Sequence, residues 1–176
     1  FDKYFNPGFE KDLLLKKYNC DPKFKTIVWL PTWSKLSSVE KYIKEISRLR
    51  DDHNLIVRPH PSMKTKDPEN YQKLFTLSFN YVDDTDDDNV PLFALADLLL
   101  CDYGGSMFGA LYLNKNFAFL EMNLEAKNNS YLGETSSEDY FKSFFPDRII
   151  KLKNIKSFCK YCLKNPPNNS VVTSLR

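Results

Sequence analysis

Short apolar runs recur along this chain, and a turn closes each of them. Thr26–Leu30 ends at Pro31, Asn54–Val57 at Arg58-Pro-His-Pro61, and Leu98–Cys101 at Asp102-Tyr-Gly-Gly-Ser106. A shorter run at 80–83 and another at Phe117–Leu120 complete the series. Runs of this length suit strands, and the longer ones are apolar throughout rather than alternating, as in strands buried on both faces. Helical patterns separate them. Val39, Tyr42, Ile43, Ile46 and Leu49 recur at spacings of three and four with charges between them, which is one apolar helix face. Ser37 or Ser38 can cap that helix. Pro68 suits the first turn of a helix running through Tyr71, Leu74, Phe75 and Leu77. Two further helices are expected over 90–97 and 106–113. This β-α alternation with short links favours a parallel sheet covered on both sides. The expected fold is therefore α/β: a Rossmann-like parallel sheet of five to six strands with helices on both faces. The sixth strand candidate is 148–152, and 155–163 is a closing helix. Residues 1–164 form the expected domain, with 1–22 as lead-in helix and linker. Residues 165–176, polar and holding Pro166-Pro167, are the expected tail. The stretch 123–146 shows no clear period.

The chain has 176 residues, 42% hydrophobic and 27% charged, so it can bury a core and is not disordered. Lys plus Arg is 25 and Asp plus Glu is 23, a net charge of +2. That balance lacks the basic stripe nucleic-acid binding needs. No apolar run approaches the roughly 18 residues of a membrane span. The chain begins at Phe1 with no signal-peptide pattern and reads as an excerpt of a longer protein, with part of its active site elsewhere. Cys20, Cys101, Cys159 and Cys162 are too sparse for a disulfide scaffold. Cys159 and Cys162 form C-x-x-C, but the ligands for a zinc site are missing. They are expected on one helix face as small buried residues, in a reducing cytosol.

In an open parallel sheet, ligands bind at the carboxyl ends of the strands, where the strand order reverses. Gly104 and Gly105 let the backbone approach a ligand closely. The helix after them presents free N–H groups and a positive dipole end, and Ser106 adds a hydroxyl. A phosphate or diphosphate can be held this way; the bland alternative is a tight turn with Ser106 as cap. Two prolines fix the backbone around His60, a candidate phosphate donor or general acid-base. Arg58 can pair with a diphosphate, or with an aspartate instead. Trp33 can stack on a base or line a cleft, whereas Trp29 lies within a strand and belongs to the core. His53 precedes a strand, on the wrong edge for binding, and is expected at the surface. The run Asp83 to Asp88 contains a D-x-D but is expected to be a solvated loop rather than a metal site.

Taken in order, Pro-Thr-Trp at 31–33, Arg-Pro-His-Pro at 58–61, the acidic stretch with its short helix, and Asp-Tyr-Gly-Gly-Ser at 102–106 resemble a known family. It is the nucleotide-binding half of CDP-glycerol glycerophosphotransferases, the teichoic-acid primases and polymerases. The resemblance runs from about residue 8 to 123. It implies one half of a two-domain glycosyltransferase-B (GT-B) fold. It also implies a nucleotide-diphosphate donor, CDP-glycerol or similar, with no obligatory cofactor and no bound metal. His60 would be catalytic. Thr32, Trp33, Arg58, Asp102, Gly104, Gly105 and Ser106 would bind nucleotide or phosphate. A glycan or lipid-linked acceptor and a second catalytic histidine would belong to a missing N-terminal domain. The implied setting is cytoplasmic, with room for peripheral attachment to the inner face of the cell membrane, in cell-wall or capsule synthesis.

The chain departs from this pattern at Gly104-Gly105, where the family usually has Ser-Ser, and at Phe108-Gly109, where it usually has Phe-Asp. Gly-Gly is nearer the related UDP-N-acetylglucosamine 2-epimerases, so a UDP-linked donor stays open, with a sugar transferase or epimerase-like activity. A non-enzymatic flavodoxin-like interaction domain is the third reading.

Overall fold

The computed structural model describes residues 9–122 and 136–175. Residues 1–8, in the expected lead-in, and 123–135, in the expected aperiodic stretch, lie outside the described residues, as does Arg176. Six strands form one all-parallel sheet: β1 (Thr26–Leu30), β2 (Asn54–Val57), β3 (Tyr81–Val82), β4 (Leu98–Cys101), β5 (Phe117–Leu120) and β6 (Ile149–Ile150). Their spatial order is β3-β2-β1-β4-β5-β6. The chain builds outward from β1 to β3, then returns to lay β4 on the other side of β1. The strand order therefore reverses between β1 and β4.

Alternation along each strand divides the core into two layers, because successive side chains point to opposite faces. Val28, Leu30, Ile56, Leu99, Cys101, Phe117 and Phe119 face one layer. Helices α1 (Lys11–Lys17), α5 (Val90–Leu95), α6 (Gly105–Tyr112) and α7 (Ser137–Ser143) cover it through Leu15, Phe93, Met107 and Phe141. Ile27, Trp29, Leu55, Val57, Leu98, Leu100, Ala118 and Leu120 face the other. That side is closed by α2 (Val39–Ser47), the short α3 (Met63–Lys66), α4 (Pro68–Lys73) and α8 (Ile155–Lys164). Both faces are buried, so the strands must be apolar throughout.

Several expectations change. The segment read as a polar tail holds a helix, α9 (Asn169–Ser174), capped by the Asn168 side chain, and it sinks Val172 into the first layer. Two prolines hid it, and one buried valine per turn is too little period to read. Within the stretch without clear period lies α7, capped by Ser136, whose Oγ accepts the Asp139 N–H at 3.0 Å. His53 is buried rather than at the surface, its Nδ1 3.2 Å from the Leu49 carbonyl oxygen. Cys159 and Cys162 are both buried and free on α8.

Candidate functional site

At the carboxyl edge of the sheet, the loops after β1, β2 and β4 enclose a cavity of about 310 Å³. Thr32, Arg58, His60, Gly104, Gly105 and Ser106 line it, joined by Asn89 and Tyr103, which sequence reasoning did not single out. A wider recess of about 1330 Å³ lies at the opposite edge, around His53 and Arg50. It holds none of the strand-end motifs, and size alone does not make it the site.

The loops are tied to each other before any ligand arrives. The Arg58 N–H donates to the Trp29 carbonyl at 2.9 Å, and the His60 N–H to the Pro31 carbonyl at 3.1 Å. Asp102 joins the other pair. Its carboxylate accepts the Thr32 N–H at 2.9 and 3.0 Å, the Ser38 N–H and hydroxyl both at 2.8 Å, and the Tyr103 N–H at 2.8 Å. The Ser38 Oγ in turn accepts the Trp29 indole N–H at 3.1 Å. Ser38 is thus the N-cap residue of α2 by position, but its hydroxyl serves Asp102 and its side chain makes no cap bond. Asp102 is fully buried and does not line the cavity. Expected among the phosphate-binding residues, Asp102 instead turns its carboxylate inward and braces the β1 and β4 loops. Burial pushes its carboxyl up to about 6, against the pull of these donors.

The turn expected to cradle a phosphate is the start of α6. Gly104 has φ +100 and ψ −172, a region in practice restricted to glycine. Gly105 is different: a Cβ built there meets nothing within 4 Å. At the start of α6 the Met107 N–H donates to the Gly104 carbonyl at 3.4 Å, while the Gly105 and Ser106 N–H groups before it precede the first intrahelical acceptor.

His60 stands at the rim, and its Nδ1 accepts the Ser62 N–H at 3.1 Å. The ring proton of the neutral imidazole is therefore on Nε2, making that atom a donor. Partial burial, and then the Lys66 charge, lower the His60 pKa from its ordinary value. Trp33 does not line the cavity. It sits beside His60, ring centroids 6.4 Å apart, with Lys66 Nζ 4.7 Å from its own centroid.

Arg58 lines the cavity, and of the two partners the sequence left open its guanidinium holds the aspartate. Its Nη1 pairs with Asp83 at 2.7 Å, and Nη2 donates to the Thr85 and Asp87 carbonyls. The acidic loop is thus only partly solvated: Asp83 is buried, and Asp84 accepts the Tyr71 hydroxyl at 2.7 Å.

Lys142 escaped the sequence reading altogether. It is a buried residue of α7, with Nζ 3.5 Å from the centroid of the Tyr103 ring and 5.7 Å from that of Phe119. One turn earlier, Asp139 Oδ1 accepts the Tyr103 hydroxyl at 3.3 Å. No motif marks such a lysine; the one available signal was a charge three residues before Phe145.

A cavity at the reversal point of a parallel sheet, with a glycine turn opening a helix, places the domain among α/β half-domains of the GT-B type. Solved structures of the wall teichoic acid polymerase TagF share this fold. One has a TM-score of 0.57 at 17% identity, covering 93% of this chain and 40% of that one. A variant of the same polymerase soaked with CDPG for 30 minutes has a TM-score of 0.60 at 18% identity, covering 98% and 40%. Residues 1–161 match the family described as CDP-Glycerol:Poly(glycerophosphate) glycerophosphotransferase, and the chain belongs to that family. It is a glycerophosphate-transferase-type domain. A curated relative, the pre-mRNA-splicing factor RSE1 of Saccharomyces cerevisiae, is 27% identical over 190 residues, covering 99% of this chain. The chain spans 13% of that protein's length, and nothing of its role transfers.

Proposed function

We propose that this chain is the donor-binding half of a transferase that moves glycerophosphate, or a related polyol phosphate, from a CDP-linked donor to a cell-surface glycan precursor. The observation that carries the reading is the meeting of His60 with the Gly104-Gly105-Ser106 helix start in one cavity at the β1/β4 reversal. The family supports it, as does the CDPG soaked into the TagF variant of the same fold.

In the proposed reaction, an acceptor hydroxyl oxygen attacks the β-phosphorus of the donor. The bond from that phosphorus to the bridging oxygen breaks, and CMP leaves with its electron pair. The hydroxyl proton passes to a base other than His60, because the tautomer set by the Ser62 bond has a proton to offer at Nε2 and no free lone pair. His60 Nε2–H and the Gly105 and Ser106 N–H groups that open α6 would instead stabilise negative charge on the phosphates. Cytidine recognition and the acceptor site belong to the same proposal. Of the described helices, none is long and apolar enough to cross a membrane.

Calorimetric titration with CDP-glycerol, CDP, UDP and a UDP-sugar tests the reading. Tighter binding of the cytidine ligands supports it. Preference for the UDP-sugar would reassign the domain to the nucleotide-sugar enzymes.

A further inference from the structure

The cavity has a charge problem that its lining does not solve. A donor diphosphate brings two negative charges. Asp102 lies buried directly behind the Tyr103-Gly104 turn, and Arg58, the lining arginine, is committed to Asp83. Backbone N–H groups offset part of that charge, but a carboxylate in a low-dielectric site acts over several ångströms.

We propose that Lys142 is the positioning residue that makes the cradle bind a diphosphate: its ammonium, held under the Tyr103 ring, balances Asp102 and fixes the turn that Tyr103 begins. The inference rests on the proposed donor class only in that the ligand is a nucleotide diphosphate ester. The geometry is specific. Lys142 and Asp139 lie one turn apart on α7 and grip Tyr103 from two directions, the ammonium against the ring face and the carboxylate on the hydroxyl. The ring follows Asp102 and precedes Gly104, so its position sets where the cradle starts. A cation against an aromatic face within about 6 Å is attractive, more so when desolvated.

The groups facing Lys142 are Asp102, Cys101 and Tyr103 from β4 and its turn, Glu138 and Asp139 from its own helix, and the Phe119 ring from β5. Burial lowers the Lys142 pKa to about 8, with the Asp102 and Asp139 charges opposing that shift. Cys101 and Tyr103 are each pushed up to about 12 by burial, and Asp102 reaches about 6. Between pH 7 and 9, Lys142 is therefore the member of this cluster that changes charge.

The test is donor affinity by calorimetry on the intact protein from pH 7 to 9, with CDP-glycerol and a UDP-sugar. CDP-glycerol, a diphosphate diester on a cytidine, keeps a constant charge in this range and carries the pH series; the UDP-sugar is compared at pH 7. Wild-type affinity should weaken by about tenfold as Lys142 deprotonates. Lys142→Met should show that weakened affinity already at pH 7, with no further pH dependence. In turnover assays it should raise KM about tenfold and leave kcat within about twofold. Lys142→Arg should keep wild-type affinity and stay flat to pH 9. Wild-type affinity that does not change from pH 7 to 9 overturns the proposal without any variant. So does unchanged affinity in a folded Lys142→Met protein. A UDP-sugar preference that still depends on Lys142 would sink the CDP-donor reading and leave this inference standing, whereas binding of neither ligand would sink both.

Discussion

His60 is the residue on which the chemistry turns, and its role follows from one hydrogen bond. Because the Ser62 N–H occupies Nδ1, the imidazole can donate from Nε2. His60→Gln, which keeps a donor near that position, should retain more activity than His60→Ala. The alanine variant should lose about 10²–10³-fold in kcat, the scale for one donor to a developing anion. Equal losses in the two variants would mean that the ring, not its N–H, matters. With its pKa depressed, neutral His60 favours folding above pH 6.5, and this contribution is lost as pH falls through the lower folded value. An NMR titration should place the imidazole midpoint below 6.5; a midpoint above it contradicts the site as described. The two glycines should part company. Gly104→Ala forces a side chain into a glycine-only conformation and should cost about 1–3 kcal/mol by denaturant unfolding. Gly105→Ser meets open space and should leave stability unchanged or slightly raised. That second substitution restores one hydroxyl of the family's usual Ser-Ser, and its effect on donor affinity tells whether the glycine departure weakens the cradle.

Among elements, the β1 and β4 loops are held as one piece by Asp102. Asp102→Asn keeps the shape but turns an acceptor oxygen into an NH₂ facing N–H donors. It should cost about 2–3 kcal/mol in urea unfolding through unsatisfied buried groups. A cost under 0.5 kcal/mol would mean that the bracket adds nothing net. Ser38→Ala should show part of the same loss, because it removes one donor to Asp102 and the acceptor of Trp29. The sequence marked these loops because strand ends, glycines and prolines are local signals. It did not show that Asp102 faces inward to Thr32 and Ser38, since that partnership spans 64 to 70 residues. Arg58 kept two readings for the same reason: a guanidinium beside a phosphate loop and one beside a buried aspartate look alike in one dimension. Lys142 and Tyr103 became visible only once α7 was packed on the sheet.

At the scale of the molecule, the sheet was legible because parallel strands covered on both faces must be apolar throughout, and few other folds ask for that. The sixth strand and α9 were harder. Two residues of strand and one buried valine give no period. Val172→Asp should therefore destabilise the whole domain by about 2 kcal/mol or more, since it buries a charge without a partner. A loss under 0.5 kcal/mol would restore the polar-tail reading. The domain spans about 40% of the TagF chain it resembles, so its proposed part in the reaction is to hold and polarise the donor.

The most direct measurement of that role is an NMR titration of the domain with CDP-glycerol against a UDP-sugar. Expected are shifts at Gly104, Gly105, Ser106 and the His60 side chain, saturating at lower concentration for CDP-glycerol. Shifts confined to the recess around His53, or saturation first by the UDP-sugar, would contradict it.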